Sequence, residues 1–74
     1  MDVKCMNENC RGILFHVVAL DVAGNFAMDD RTPLELQFDG VDRFFACPHC
    51  GVKNVVVRGT SPTGVPVIRL ARTK

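Results

Sequence analysis

No stretch of this 74-residue chain approaches the roughly 20 consecutive apolar residues that a membrane-spanning helix needs, although 47% of its residues are apolar. A membrane role is not expected. Tryptophan and tyrosine are both absent, and eleven valines supply much of the apolar content. β-Branched chains fit a pleated surface, so this balance points to β-structure. Internal repeats beyond two cysteine pairs, low-complexity tracts and linker-like segments are missing too, and residues 1–74 are expected to form a single domain. The chain has no serine-histidine-acid set and no glycine-rich phosphate loop, so neither an enzyme nor a small-molecule substrate is expected. Adjacent Asp29 and Asp30, in a polar stretch that ends at Pro33, read as solvated loop acids, not as an acid-base pair.

Acids are also missing from one half of the chain. Residues 43–74 hold six bases (Arg43, Lys53, Arg58, Arg69, Arg72 and Lys74) and no acid, while residues 1–42 hold all eight acids and three bases. The formal net charge of +1 hides this division. Overall steering toward nucleic acid is therefore weak, and any attraction has to be local.

What the chain does have is four cysteines in two pairs, Cys5-x4-Cys10 and Cys47-x2-Cys50, separated by 36 residues. In Cys47-Pro48-His49-Cys50-Gly51 a proline lies inside the turn and a glycine follows it, forming a tight knuckle whose thiolates face one point. Zinc prefers thiolate sulfur and takes four ligands in closed structural sites, so Cys5, Cys10, Cys47 and Cys50 are the expected ligands of one zinc per chain. A domain this small rarely gains more than about 3–5 kcal/mol from its apolar core, and the metal is expected to act as its staple. Four thiolates around a divalent ion would lower the formal charge by two.

Other uses of these cysteines fit less well. Cys47-Pro48-His49-Cys50 matches the motif of periplasmic thiol oxidases, but there the first cysteine opens a helix that lowers its pKa. Here Cys50 runs into Gly51-Val52-Lys53-Asn54-Val55-Val56-Val57, a β-rich stretch, so the motif is expected to be redox-inert. Two disulfides would require an oxidising compartment. Met1-Asp2-Val3-Lys4 has no apolar core of a signal peptide, and a reduced, cytoplasmic setting is expected.

The pairing of the two knuckles resembles the zinc ribbon class, in which two knuckles clamp one metal at the end of a small antiparallel sheet. Residues 43–62, with Ala46-Cys47-Pro48-His49-Cys50-Gly51-Val52-Lys53-Asn54 and Gly59-Thr60-Ser61-Pro62, also resemble the second half of the Com family, the small zinc-finger translational regulators of Mu-like phages. That family typically has a Cys-x2-Cys first knuckle and a shorter connection, from which this chain departs. Iron in a four-thiolate site, as in rubredoxin, goes with two Cys-x2-Cys-Gly knuckles. Cys5-x4-Cys10 does not match that pattern, and zinc remains the expected metal.

The fold class expected is a small all-β, metal-stabilised ribbon with a three- to five-stranded antiparallel sheet. Residues 13–20 read as a central strand, with His16 partly buried beside Leu14, Val18 and Leu20. Gly24-Asn25 reads as a two-residue hairpin turn that returns a short strand through Phe26, Ala27 and Met28. Thr32-Pro33-Leu34-Glu35 carries the signals of a helix start, yet Leu34, Leu36 and Phe38 alternate with polar residues as in a strand. The strand is expected over 34–38, with a tight turn at Asp39-Gly40, and a short helix is the alternative. Strands follow at 53–58 and, as an edge because of Pro66, at 65–72.

Two functions remain. In the first, the domain is a regulatory nucleic-acid-binding module, RNA or DNA, in which Lys53, Arg58, Arg69, Arg72 and Lys74 contact phosphates and His49 at the knuckle tip is available to a base or sugar. The acidic half then faces away. In the second it is a protein-interaction or structural module with no nucleic-acid role.

Overall fold

The computed structural model describes residues 1–27 and 32–74, and the expectations for Met28, Asp29 and Asp30 fall outside them. Among the described residues six strands form: β1 (Asp2–Lys4), β2 (Ile13–His16), β3 (Gln37–Phe38), β4 (Arg43–Ala46), β5 (Lys53–Thr60) and β6 (Pro66–Thr73). β1 and β2 make a two-stranded antiparallel sheet, and the others make a four-stranded antiparallel sheet in the order β3-β4-β5-β6. The described residues are thus all-β, and no helix long and apolar enough to cross a membrane occurs among them.

The core lies between the two sheets. Phe15 of β2 meets Phe45 of β4 edge-on at 5.1 Å and Phe26 at 5.6 Å between ring centroids. Such pairs contribute about 0.5–1.5 kcal/mol beyond their buried area. Val3, Leu14, Val56 and Ile68 complete the cluster, and Cys5 and Cys47 belong to it. The hydrophobic core therefore continues directly into the cysteines.

Several expectations are corrected by pairing partners. The strand expected over 13–20 stops at His16, because β1 pairs with it only from Asp2 to Lys4. One last backbone pair, between Met1 and Val17, closes the ladder. The register steps from Val3↔Phe15 to Lys4↔Ile13 and leaves Leu14 as a bulge. Two residues facing one partner can both turn to the same side, so Leu14 and Phe15 are both buried. His16 is then exposed, not partly buried, and pairs with Asp2.

The Gly24-Asn25 hairpin is not formed. Asp21 instead organises a five-residue loop, its carboxylate accepting from the Ala23 and Asn25 N–H groups, and Phe26 makes a single bridge to Ile68. No helix starts at Thr32; the strand expected over 34–38 forms, but only at Gln37 and Phe38. The turn after it spans four residues, 39–42, closed by the Asp39 N–H on the Asp42 carbonyl. β6 is an edge strand that begins at Pro66, as its missing donor requires.

Register also assigns faces. Phe45, Asn54, Val56, Arg58, Ile68 and Leu70 share the face turned toward the core, whereas Phe44, Lys53, Val55, Val57, Arg69 and Arg72 share the other. The two-stranded sheet packs on the first face and not on the second. Phe44 and Val55 are nonetheless buried on it, with the Lys53 ammonium 4.7 Å over the Phe44 ring.

Candidate metal centre

Both cysteine pairs fold the same way despite their different lengths. The Cys5 N–H donates to the Gly12 carbonyl at 2.8 Å, and the Cys47 N–H donates to the Val52 carbonyl at 2.9 Å. The two extra residues of the first knuckle are taken up by a turn in which the Asn7 carbonyl accepts from the Cys10 and Arg11 N–H groups. In each knuckle the residue after the second cysteine is left-handed: Arg11 at φ 53° and Gly51 at φ 78°. Backbone donors point at sulfur in both, Gly12 to Cys10 and His49 to Cys47, each at 3.4 Å.

These two loops meet. All four Sγ atoms lie within 4.8 Å of one another, a donor set that can hold a metal ion. Cys5 and Cys50 are 3.7 Å apart, and so are Cys10 and Cys47. A tetrahedron with metal–sulfur bonds of about 2.3 Å has edges of roughly 3.8 Å, so the two cross-knuckle pairs already fit a four-thiolate ion.

Asn54 fastens one knuckle to the other, and nothing in the sequence singled it out. It is fully buried; its side-chain oxygen accepts from the Met6 N–H at 2.8 Å, and its amide nitrogen donates to Cys5 Sγ at 3.5 Å. His49 is exposed at the second knuckle but is not a free tip residue. Its Nε2 lies 3.1 Å from the Ile13 carbonyl, and its ring covers Gly12 so closely that a Cβ there would come within 2.4 Å of Cδ2.

The thiols differ in acidity. The Val52 N–H, helped by the Asn7 amide and neighbouring thiols, draws Cys50 down to about 6. Gly12 pulls on Cys10, but lost hydration and the thiols of Cys50 and Cys47 outweigh it and push Cys10 up to about 11. Burial raises Cys5. A cation entering near neutral pH therefore finds a thiolate at Cys50 and displaces protons from Cys5 and Cys10.

The basic residues do not form one surface. Lys53, Arg69 and Arg72 share the uncovered sheet face, while Arg58 lies on the other. The acidic half does not face away: Asp39 pairs with Lys74 at 2.7 Å and Lys53 at 3.7 Å, and Asp42 with Arg72 at 3.0 Å and Lys74 at 3.1 Å. Among the described residues no ion pair involves Arg58 or Arg69. No family model, curated protein or solved structure matches the chain.

Proposed function

We propose that this chain is a structural-zinc module of the zinc ribbon kind, non-catalytic, whose uncovered sheet face binds nucleic acid weakly. Four sulfur donors from two knuckles leave no coordination position open, and an open position is what a catalytic zinc needs. Zinc would be held by Cys5, Cys10, Cys47 and Cys50, and bound there it would supply a cross-link, not chemistry.

The observation that carries the nucleic-acid reading is the placement of Lys53, Arg69 and Arg72 on one face of the four-stranded sheet. Phosphates attract such a face without reading sequence. A second reading, a protein-interaction module, draws on the ion pairs of Asp39 and Asp42, which occupy three of the cations, and on Phe38 and Val41, 62% and 77% exposed in the same hairpin.

Metal analysis of purified protein tests the first part, with one zinc per chain expected. Titration with single-stranded RNA and with duplex DNA at low salt tests the second. Binding lost on Lys53→Ala with Arg69→Ala supports the sheet face. If both nucleic acids bind more weakly than about 10⁻⁴ M, the weak end of non-specific binding, the protein-interaction reading replaces it.

A further inference from the structure

The four sulfurs are unequal in a way that metal holding alone does not require. Cys5 and Cys47 are buried at 0% and 3% exposure and Cys10 is half-buried, but Cys50 is exposed. Across the knuckles Cys5 Sγ lies 3.7 Å from the Cys50 sulfur. The other cross-knuckle pair, Cys10 with Cys47, stands at the same separation.

We infer that Cys50 is an oxidation site for hydroperoxides and that Cys5 resolves it, so that the link between the two knuckles passes from metal to disulfide. This rests on the metal reading above. A hydroperoxide reaches Cys50 first because Cys50 is the most exposed of the four cysteines. The Cys50 thiolate attacks the outer peroxide oxygen; the O–O bond breaks, a sulfenic acid forms, and the departing alkoxide or hydroxide takes a proton. The Cys5 thiolate then attacks Cys50 Sγ. A Cys5–Cys50 disulfide forms, the S–O bond breaks, and hydroxide leaves and is protonated to water. The two sulfurs have lost two electrons and the peroxide has gained them.

Loss of two donors leaves Cys10 and Cys47, too few for a closed structural site. The product still joins the segment after β1 to the β4–β5 connection, as the metal would. A disulfide within the second knuckle, Cys47 to Cys50, would not. Position therefore selects an oxidised form that keeps the knuckles together.

The test uses the metal-loaded full chain, its metal content measured first. One equivalent of hydrogen peroxide is added with a 1,3-dione that traps sulfenic acids, and the modified cysteine is mapped by peptide mass. A parallel sample without trap is mapped for disulfides while a chromophoric chelator reads released metal. The expected results are a dione adduct on Cys50 and a Cys5–Cys50 disulfide as the first product, with one metal released per disulfide. A first adduct on Cys5, Cys10 or Cys47, or a Cys47–Cys50 disulfide formed first, overturns this inference and leaves the metal reading standing. Protein that carries no metal at the outset overturns both.

Discussion

Asn54 concentrates the chemistry of this molecule in one side chain. It gives the Met6 N–H an acceptor and the Cys5 sulfur a donor, so it ties both knuckles through β5. Partners beyond the ligands typically change metal affinity 10- to 100-fold, and an unsatisfied buried polar group costs about 1–3 kcal/mol. Asn54→Leu is expected to destabilise the metal-loaded protein by roughly that amount. Asn54→Asp, closer in shape, is expected to weaken the metal more, because it sets a carboxylate against a thiolate; chelator competition on both variants checks the order. The left-handed residues give a second comparison. Gly51→Ala should cost about 1–2 kcal/mol, whereas Arg11→Gly should gain less than that, since glycine gives back about 0.5–1 kcal/mol in backbone entropy. Urea unfolding of the metal-loaded variants measures both. The clustering of the four cysteines was legible because cysteine spacing is itself the chemistry. Asn54 was not, since a polar residue in a valine run reads as an ordinary strand position until its partners are known. Arg11 hid its left-handed turn for a related reason: glycine advertises that conformation and arginine does not.

Strand existence was legible where apolar residues cluster, as in β2, β4, β5 and β6, and strand length was not. β2 ends where its partner ends, and its Leu14 bulge inverts the side that His16 faces. A partner three residues long carries no periodicity of its own. The 39–42 loop shows the same limit. Asp39-Gly40 signals a turn, but its form comes from Asp39, whose Oδ1 accepts from the Val41 and Asp42 N–H groups while Oδ2 takes the Lys74 ammonium at 2.7 Å. The Asp42 N–H first, then Lys74 and the Val41 N–H, hold the Asp39 carboxyl well below the usual carboxylate range. Lys74 is raised in return, by Asp39 and then Asp42. A depressed carboxyl stabilises the fold above the unfolded value, near pH 4, and that contribution is lost as pH falls toward the folded value. A raised lysine contributes below about pH 10.4 and loses its effect as pH rises through its folded value. Asp39→Asn is therefore expected to lower the melting temperature between about pH 5 and 9 and to matter progressively less in acid. A difference that stays constant down to pH 2 would mean that loop hydrogen bonding, and not the charge, is responsible.

At the scale of the whole molecule the four-cysteine site and the core are one structure, because Cys5 and Cys47 sit within the same buried cluster as Phe15 and Phe45. Chelation is expected to abolish the cooperative thermal transition, and one equivalent of zinc to restore it; a transition that survives chelation would show that the core stands alone. Charge shows most clearly what sequence order conceals. The division into an acidic and a basic half is real along the chain, yet folding lays Asp39 and Asp42 on Lys53, Arg72 and Lys74. Counting charges cannot reveal which ones become neighbours. The consequence for nucleic-acid binding is specific. A phosphate approaching the uncovered face meets Arg69 without an acidic partner among the described residues, but must compete with carboxylates for Lys53 and Arg72. Asp39→Asn with Asp42→Asn is accordingly expected to strengthen binding and to steepen its salt dependence, by roughly 0.7–0.9 in log-log slope for each phosphate newly neutralised, single strands at the lower figure. Arg69→Ala should weaken binding in either background, whereas Arg58→Ala, on the opposite face, should have little effect. Salt titrations of these variants and of the unsubstituted protein against single-stranded RNA decide the matter: an unchanged slope in the double asparagine variant would show that the paired cations never meet phosphate, and an Arg58 effect as large as that of Arg69 would remove the sheet face as the binding surface.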